Sequence, residues 1–200
     1  MKLVRLLLPQ LACAAMLAAT SLPTQDVALE MDPAQTKVEF TLPASLHTVH
    51  GSFALKRGSI RFDPITGKVS GELVVDAASG NSGNSTRDHR MNQSILESAR
   101  YPEIVFRPDR VQGKVASQGA SQIEMHGMFA IHGAEHEIVM PMQVEVKDGI
   151  YTASGHFAVP YIQWGMKNPS TLFLHVSDKV DIEIQTVAHP AASAASVQHP

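Results

Sequence analysis

Apolar and polar side chains alternate at every second position over most of residues 37–184. That period belongs to strands buried on one face, since successive side chains of a β-strand point to opposite sides. Residues 37–42 set Val38, Phe40 and Leu42 against Lys37, Glu39 and Thr41, and residues 49–55 set Val49, Phe53 and Leu55, with Gly51, against His50, Ser52 and Ala54. Ile60 and Phe62 continue the pattern, followed by Val69, Leu73 and Val75, by Ile104 and Phe106, and by residues 111–115. In the run 122–132, Ile123, Met125, Phe129 and Ile131 share a face; in 138–146, Ile138, Met140, Met142, Val144 and Val146 do so. Residues 151–159 and 180–184 complete the set. Asp63-Pro64-Ile65-Thr66-Gly67 has turn chemistry, Gly133-Ala134 marks a hairpin, and Asp148-Gly149 is a strong two-residue hairpin signal. Tight turns make neighbouring strands antiparallel, which predicts roughly eight to ten strands in an all-β domain.

An array with one apolar face per strand must close on itself or stack on a second sheet. Closure removes exposed strand edges. Gly51, Gly71, Gly127 and Gly155 fall on the apolar faces, where strong curvature needs small residues. Alternation by itself leaves a barrel and a two-sheet sandwich open.

Between the strands ending at Asp76 and starting at Tyr101 lies a polar loop, residues 77–89, then a helix-compatible segment at 91–98. Loops this long usually carry function. The block holds a Gly-Asn-x-x-Arg-Asp core (Gly83, Asn84, Arg87, Asp88) and a Tyr-Pro-x-Ile-x-Phe strand start (Tyr101, Pro102, Ile104, Phe106). Ile131-His132-Gly133 at a hairpin and the closing run Asp178-Lys179-Val180-Asp181-Ile182 follow in order. Together these resemble the YceI-like family of secreted, lipocalin-like proteins that bind polyisoprenoid lipids, over residues 29–187. The resemblance implies an antiparallel, roughly eight-stranded calycin-type barrel with a short helix in the loop around 91–98. It also places the Arg87-Asp88 segment beside the cavity. The residues after Tyr161, Gln163 to Ser170, belong to only part of the family, so no head-group preference carries over.

The ends have a different character. Lys2 and Arg5 precede an apolar stretch running from Leu6 to Ala19, and small residues follow to Ser21, which reads as a cleaved signal peptide over 1–21. A membrane anchor is the alternative, but the stretch is shorter than the ~20 residues a span needs and contains Pro9. The single cysteine, Cys13, falls inside the signal, so a chain cleaved near Ser21 has no disulfide and no thiolate chemistry. A lipoprotein reading would acylate Cys13, against which Gln10 stands where an aliphatic residue is wanted. The expected folded domain spans 22–187, and 188–200, rich in Ala, Ser, Pro and His, reads as a disordered tail. A net charge of −3 gives no basic footprint for nucleic acid.

Catalytic motifs are missing: there is no Gly-x-Ser-x-Gly elbow and no glycine-rich phosphate loop ahead of a helix. Three histidines, His126, His132 and His136, bracket one hairpin. His126 and His132 are six residues apart, about 20 Å along a strand, too far to share an ion. His132 and His136 can approach each other across the hairpin, but beside Glu135 and Glu137 they read as exposed turn residues. Arg87 and Asp88 read either as a solvated ion pair worth ~0–1 kcal/mol or as loop anchors and ligand contacts. With Asn84 they form the expected gate.

The apolar faces are the more telling set. Phe40, Phe53, Leu73, Ile104, Phe106, Phe129, Met140, Met142, Phe157 and Trp164 are the expected cavity lining. A solid core is the plain alternative. Burial of an isoprenoid gains ~0.8 kcal/mol per methylene, so two or three five-carbon units offset an association cost of ~4–15 kcal/mol without polar contacts. The resemblance thus implies an exported, non-enzymatic binder of a prenol, prenyl phosphate or isoprenoid quinone, with no metal and no cofactor beyond that lipid. Transient membrane contact and a homodimer stay open. A barrel isomerase or hydrolase, and an envelope stress or adhesion module without ligand, are the competing readings.

Overall fold

The computed structural model describes residues 26–172 and 174–191. The signal-like segment, Cys13 and residues 192–200 of the expected tail lie outside them. Ten strands form one antiparallel sheet: β1 (Val27–Met31), β2 (Lys37–Leu42), β3 (Val49–Phe53), β4 (Leu55–Phe62), β5 (Val69–Asp76), β6 (Glu103–Gly113), β7 (Gly119–Ile131), β8 (Ala134–Lys147), β9 (Ile150–Val159) and β10 (Val180–Pro190). β1 and β2 both run antiparallel to β10, one after the other, and β3 and β4 likewise follow each other along β2 and β1. Each pair is one broken stave. The ten strands therefore make eight staves, and β1–β10 pairing closes them into a barrel.

Local chemistry sets most joints. His132-Gly133 and Asp148-Gly149 turn their hairpins with φ of 52° and 78°, and 51° and 78°, the positive pair that a two-residue hairpin matched to strand twist requires; the first lies one residue before the expected Gly133-Ala134, since Ala134 already belongs to β8. Asp63 accepts from the backbone N–H groups of Ile65 and Thr66 and from the Thr66 hydroxyl, tying the β4–β5 turn. β6 runs straight through the gap expected between Ile104-Val105-Phe106 and Val111, with a bulge at Pro108–Arg110 taking up the register. β10 continues to Pro190, and Ala188 is buried, so residues 188–190 belong to the barrel and not to the expected tail. β1 repeats the alternation in residues that the pattern reading left outside its strands.

Two features break the simple period. Val74 points outward yet is fully buried, between Arg57 on β4 and Val105 on β6. Arg57 bonds Glu72 and Glu103, and Arg107 bonds Glu135, so long charged side chains cover this apolar strip with their stems. Second, β8 and β9 pair only from Met142↔Gly155 to Lys147↔Ile150. They part beside Pro141, which has no N–H for a ladder bond. Trp164, from the turn after β9, stacks on His136 at the far end of β8, ring centroids 3.9 Å apart.

The loops 43–48, 77–102, 132–133 and 160–179 gather at one end of the barrel. Among them the long loop is more regular than the sequence suggested. A 3-10 turn occupies Ala77–Ser79, helix α1 is Ser85–Arg90, and a π-helical turn continues it over Met91–Ile95. The helix thus begins six residues before the expected 91–98 segment, because the Asn84 side chain caps it by accepting from the Arg87 N–H at 3.0 Å.

Candidate functional site

α1 and the π turn form a lid over the end where those loops meet. Met91, Ile95 and Leu96 point from it into the barrel. Gly80 makes the close approach possible, since a Cβ there would lie 2.8 Å from Cε1 of Phe53. Beneath the lid is an apolar chamber of about 460 Å³. Its walls are Val38, Phe40 and Leu42 from β2, Val49 and Phe53 from β3, Val75, Ile104, Phe129, Ile131 and Val159 from the middle strands, and Val180 and Ile182 from β10. Polar groups are confined to the mouth, where Ser82, Asn84, Thr86, Arg87, Arg90 and His47 stand. No carboxylate lines the chamber among the described residues.

Of the expected lining, Phe40, Phe53, Ile104 and Phe129 do line this chamber. Leu73, Phe106, Met140 and Met142 instead line a second, smaller apolar pocket of about 80 Å³ toward the opposite end. Phe157 and Trp164 pack against Phe129, at 5.3 and 6.0 Å between centroids, and line neither pocket; Phe157 shares the inward face of its register partner Ile182. Sequence parity put all these side chains except Trp164, which lies outside the strands, on inward faces; it did not say at which height the barrel is filled. The lid residues Met91 and Ile95 were missed, although their i, i+4 spacing in the helix-compatible segment is a legible signal for a shared face. Tyr161 was missed too. Its hydroxyl donates to the Ser177 carbonyl at 2.7 Å, and burial, with the Asp178 carboxylate adding to it, pushes the phenol up to about 12.

Asn84 and Arg87 stand at the chamber mouth, as expected of a gate, but Arg87 and Asp88 form neither the expected ion pair nor a direct tie to the barrel. Arg87 and Asp88 do not pair with each other; both converge on Ser82. Arg87 donates from Nε to the Ser82 hydroxyl at 2.7 Å and from Nη2 to its carbonyl at 2.8 Å. Asp88 accepts from the Ser82 N–H at 2.9 Å and from its hydroxyl. They brace the lid internally. The tie to the barrel is made next door, where Asn81 and Ser52 exchange two backbone hydrogen bonds of 2.9 Å. Asn81 thereby extends the sheet along β3, where β5 has already ended.

The hairpin histidines are not the exposed pair expected. The His132 ring lies on Tyr101, centroids 4.8 Å apart, with Nε2 3.7 Å from Glu97, and His136 is covered by Trp164. Partners from distant loops cover them, which local sequence does not show. Among the described residues no three His, Cys, Asp or Glu groups converge on a point that would hold a metal.

The family model for a YceI-like domain matches residues 29–188. Among solved structures, the barrel resembles Burkholderia cenocepacia BcnA, with 18% identity, a TM-score of 0.65, and 78% of this chain and 98% of that one covered. It also resembles a polyisoprenoid binding domain from Saccharophagus degradans implicated in plant cell wall breakdown, at 14% identity and TM-score 0.62, covering 82% and 99%. A Campylobacter jejuni YCEI protein aligns at 22% identity and TM-score 0.53, covering 67% and 80%. No curated protein matches the sequence.

Proposed function

This chain belongs to the YceI-like domain family, and from that premise we propose that it is an exported, non-enzymatic protein that sequesters or carries a polyisoprenoid lipid. The observation that carries the reading is the chamber of about 460 Å³ with apolar walls, an apolar lid and polar groups only at its mouth. This is the distribution wanted by a ligand with a long hydrocarbon chain and one polar end. A prenol, a prenyl phosphate and an isoprenoid quinone all have that form. The tail would lie among Phe40, Phe53, Ile104 and Phe129, and the polar end would meet Ser82, Asn84 and the arginines.

A polyisoprenoid binding domain with the same fold supports the choice of lipid. The signal-like residues 1–21 support export. Native mass spectrometry of protein purified from its own host, followed by lipid extraction, tests the reading. A co-purified isoprenoid is the expected result. Protein that emerges empty and binds no prenol on addition would overturn it in favour of a module acting through its outer surface.

A further inference from the structure

The apolar interior is in two parts that share no lining residue, one of about 460 Å³ beneath the lid and one of about 80 Å³ toward the far end. The change from one to the other comes at a single height around the barrel. On β5 the lining passes from Val75 above to Leu73 below, on β6 from Ile104 to Phe106, and on β10 from Ile182 to Ile184. Aromatic rings stand at that height. Phe106 is paired with Phe129 across β6 and β7, and Phe129 meets Phe157 edge to face, 5.3 Å between centroids at 74°. Phe157 is in turn paired with Ile182 on β10, so the three residues run round the inner wall from β6 to β9 at the height where the lining changes.

We propose that Phe106, Phe129 and Phe157 form a floor that gauges ligand length, and that the chain accepted whole is a prenyl group of three to four five-carbon units. The inference rests on the isoprenoid-binding reading above. A cavity of ~150 Å³ takes one benzene, about 25 Å³ per carbon. By that measure the upper chamber of about 460 Å³ takes about 18 carbons. The lower pocket of about 80 Å³ takes about three, less than one unit. A longer chain must either leave its surplus at the mouth, in water, or displace Phe106 and the packed rings of Phe129 and Phe157. Neither gains the burial that each earlier unit gained. Met140 and Met142 below the floor are flexible, so the lower pocket can adapt once the floor is thinned.

The test is native mass spectrometry with prenyl alcohols of 10, 15, 20 and 45 carbons, each presented from the same detergent micelle. Wild-type protein should gain at least about tenfold in affinity per added unit up to 15–20 carbons and then level off or fall. Phe157→Leu and Phe106→Leu, which thin the floor and keep it apolar, should move the optimum up by one unit or more. Val75→Phe, which fills the upper chamber from β5, should move it down. Affinity that climbs steadily to 45 carbons in wild type, or an optimum unmoved in all three folded variants, would overturn the gauge. If no alcohol of any length binds, it is the isoprenoid reading itself that fails, and the gauge falls with it.

Discussion

Gly133 and Gly149 form a matched pair that isolates how the lid loop is held. Both occupy the second position of a two-residue hairpin, both have φ of 78°, and each follows a residue with φ near 50°. An added methyl costs about 1–2 kcal/mol of left-handed strain at either site, offset by about 0.4–1 kcal/mol from the stiffer unfolded chain. There the likeness ends. A Cβ on Gly149 meets nothing within 4 Å, whereas one on Gly133 falls 2.5 Å from Cε1 of Tyr101 and 3.0 Å from its Cζ. The ring cannot stay, and moving it breaks its packing on His132, 4.8 Å away. Overpacking of this kind costs about 1–3 kcal/mol. Gly133→Ala should therefore be less stable than Gly149→Ala by that amount.

With an m-value of about 2 kcal/mol/M, the urea midpoints of the two variants should differ by about 0.5–1.5 M, read by circular dichroism and by the fluorescence of the single tryptophan, Trp164. Adding Tyr101→Ala to each should erase the difference between them, since the clash then has no partner. Because Tyr101 closes the loop that carries the lid, Gly133→Ala should also release a fluorescent prenyl analogue faster than Gly149→Ala. Equal midpoints for the two single variants would refute the claim that Tyr101 clamps this hairpin.

Replacing Arg87 and Asp88 together by Ala removes every side chain that braces Ser82 in the lid, and should speed release of a fluorescent prenyl analogue several-fold while the β circular dichroism stays unchanged; unaltered stopped-flow release from the folded variant would reject the gate. The Tyr161 phenol is held up at about 12, so above pH 10 the unfolded chain ionises first and stability falls as pH rises toward 12. The full loss is about 2–3 kcal/mol, and it should be absent from Tyr161→Phe in chemical denaturation from pH 9 to 12; parallel curves for the two proteins would count against it. Mature protein from the envelope should begin near Leu22 and lack Cys13 by intact mass, whereas an acylated Cys13 at its N-terminus would replace the soluble form with an anchored one.

What the sequence determined by itself is whatever neighbours along the chain enforce. The period of two fixed which side chains face inward, because strand geometry leaves no alternative once one face is buried. Asp148-Gly149 fixed an antiparallel joint, because those residue types suit a tight hairpin, whereas the other turn fell at His132-Gly133, one residue before the expected Gly133-Ala134. That is why Phe40, Phe53, Ile104 and Phe129 could be placed inside, and why the order of motifs pointed to the family. Tertiary structure decided everything that depends on which distant residues meet. Phe106 and Phe129 are partners only because β6 and β7 pair in one register, and Phe157 meets Phe129 only where β8 and β9 have parted, so neither the floor nor the two chambers can be read from parity. Tyr101 and Trp164 reach His132 and His136 from other loops and cover one face of rings that look exposed in their own hairpin. Arg87 and Asp88 turn to Ser82, and the lid's backbone bond to Ser52 is made at Asn81, because β5 ends and leaves the side of β3 unpaired at that height. An unpaired strand edge takes the nearest backbone that can bond it, and that neighbour exists only once the barrel has formed.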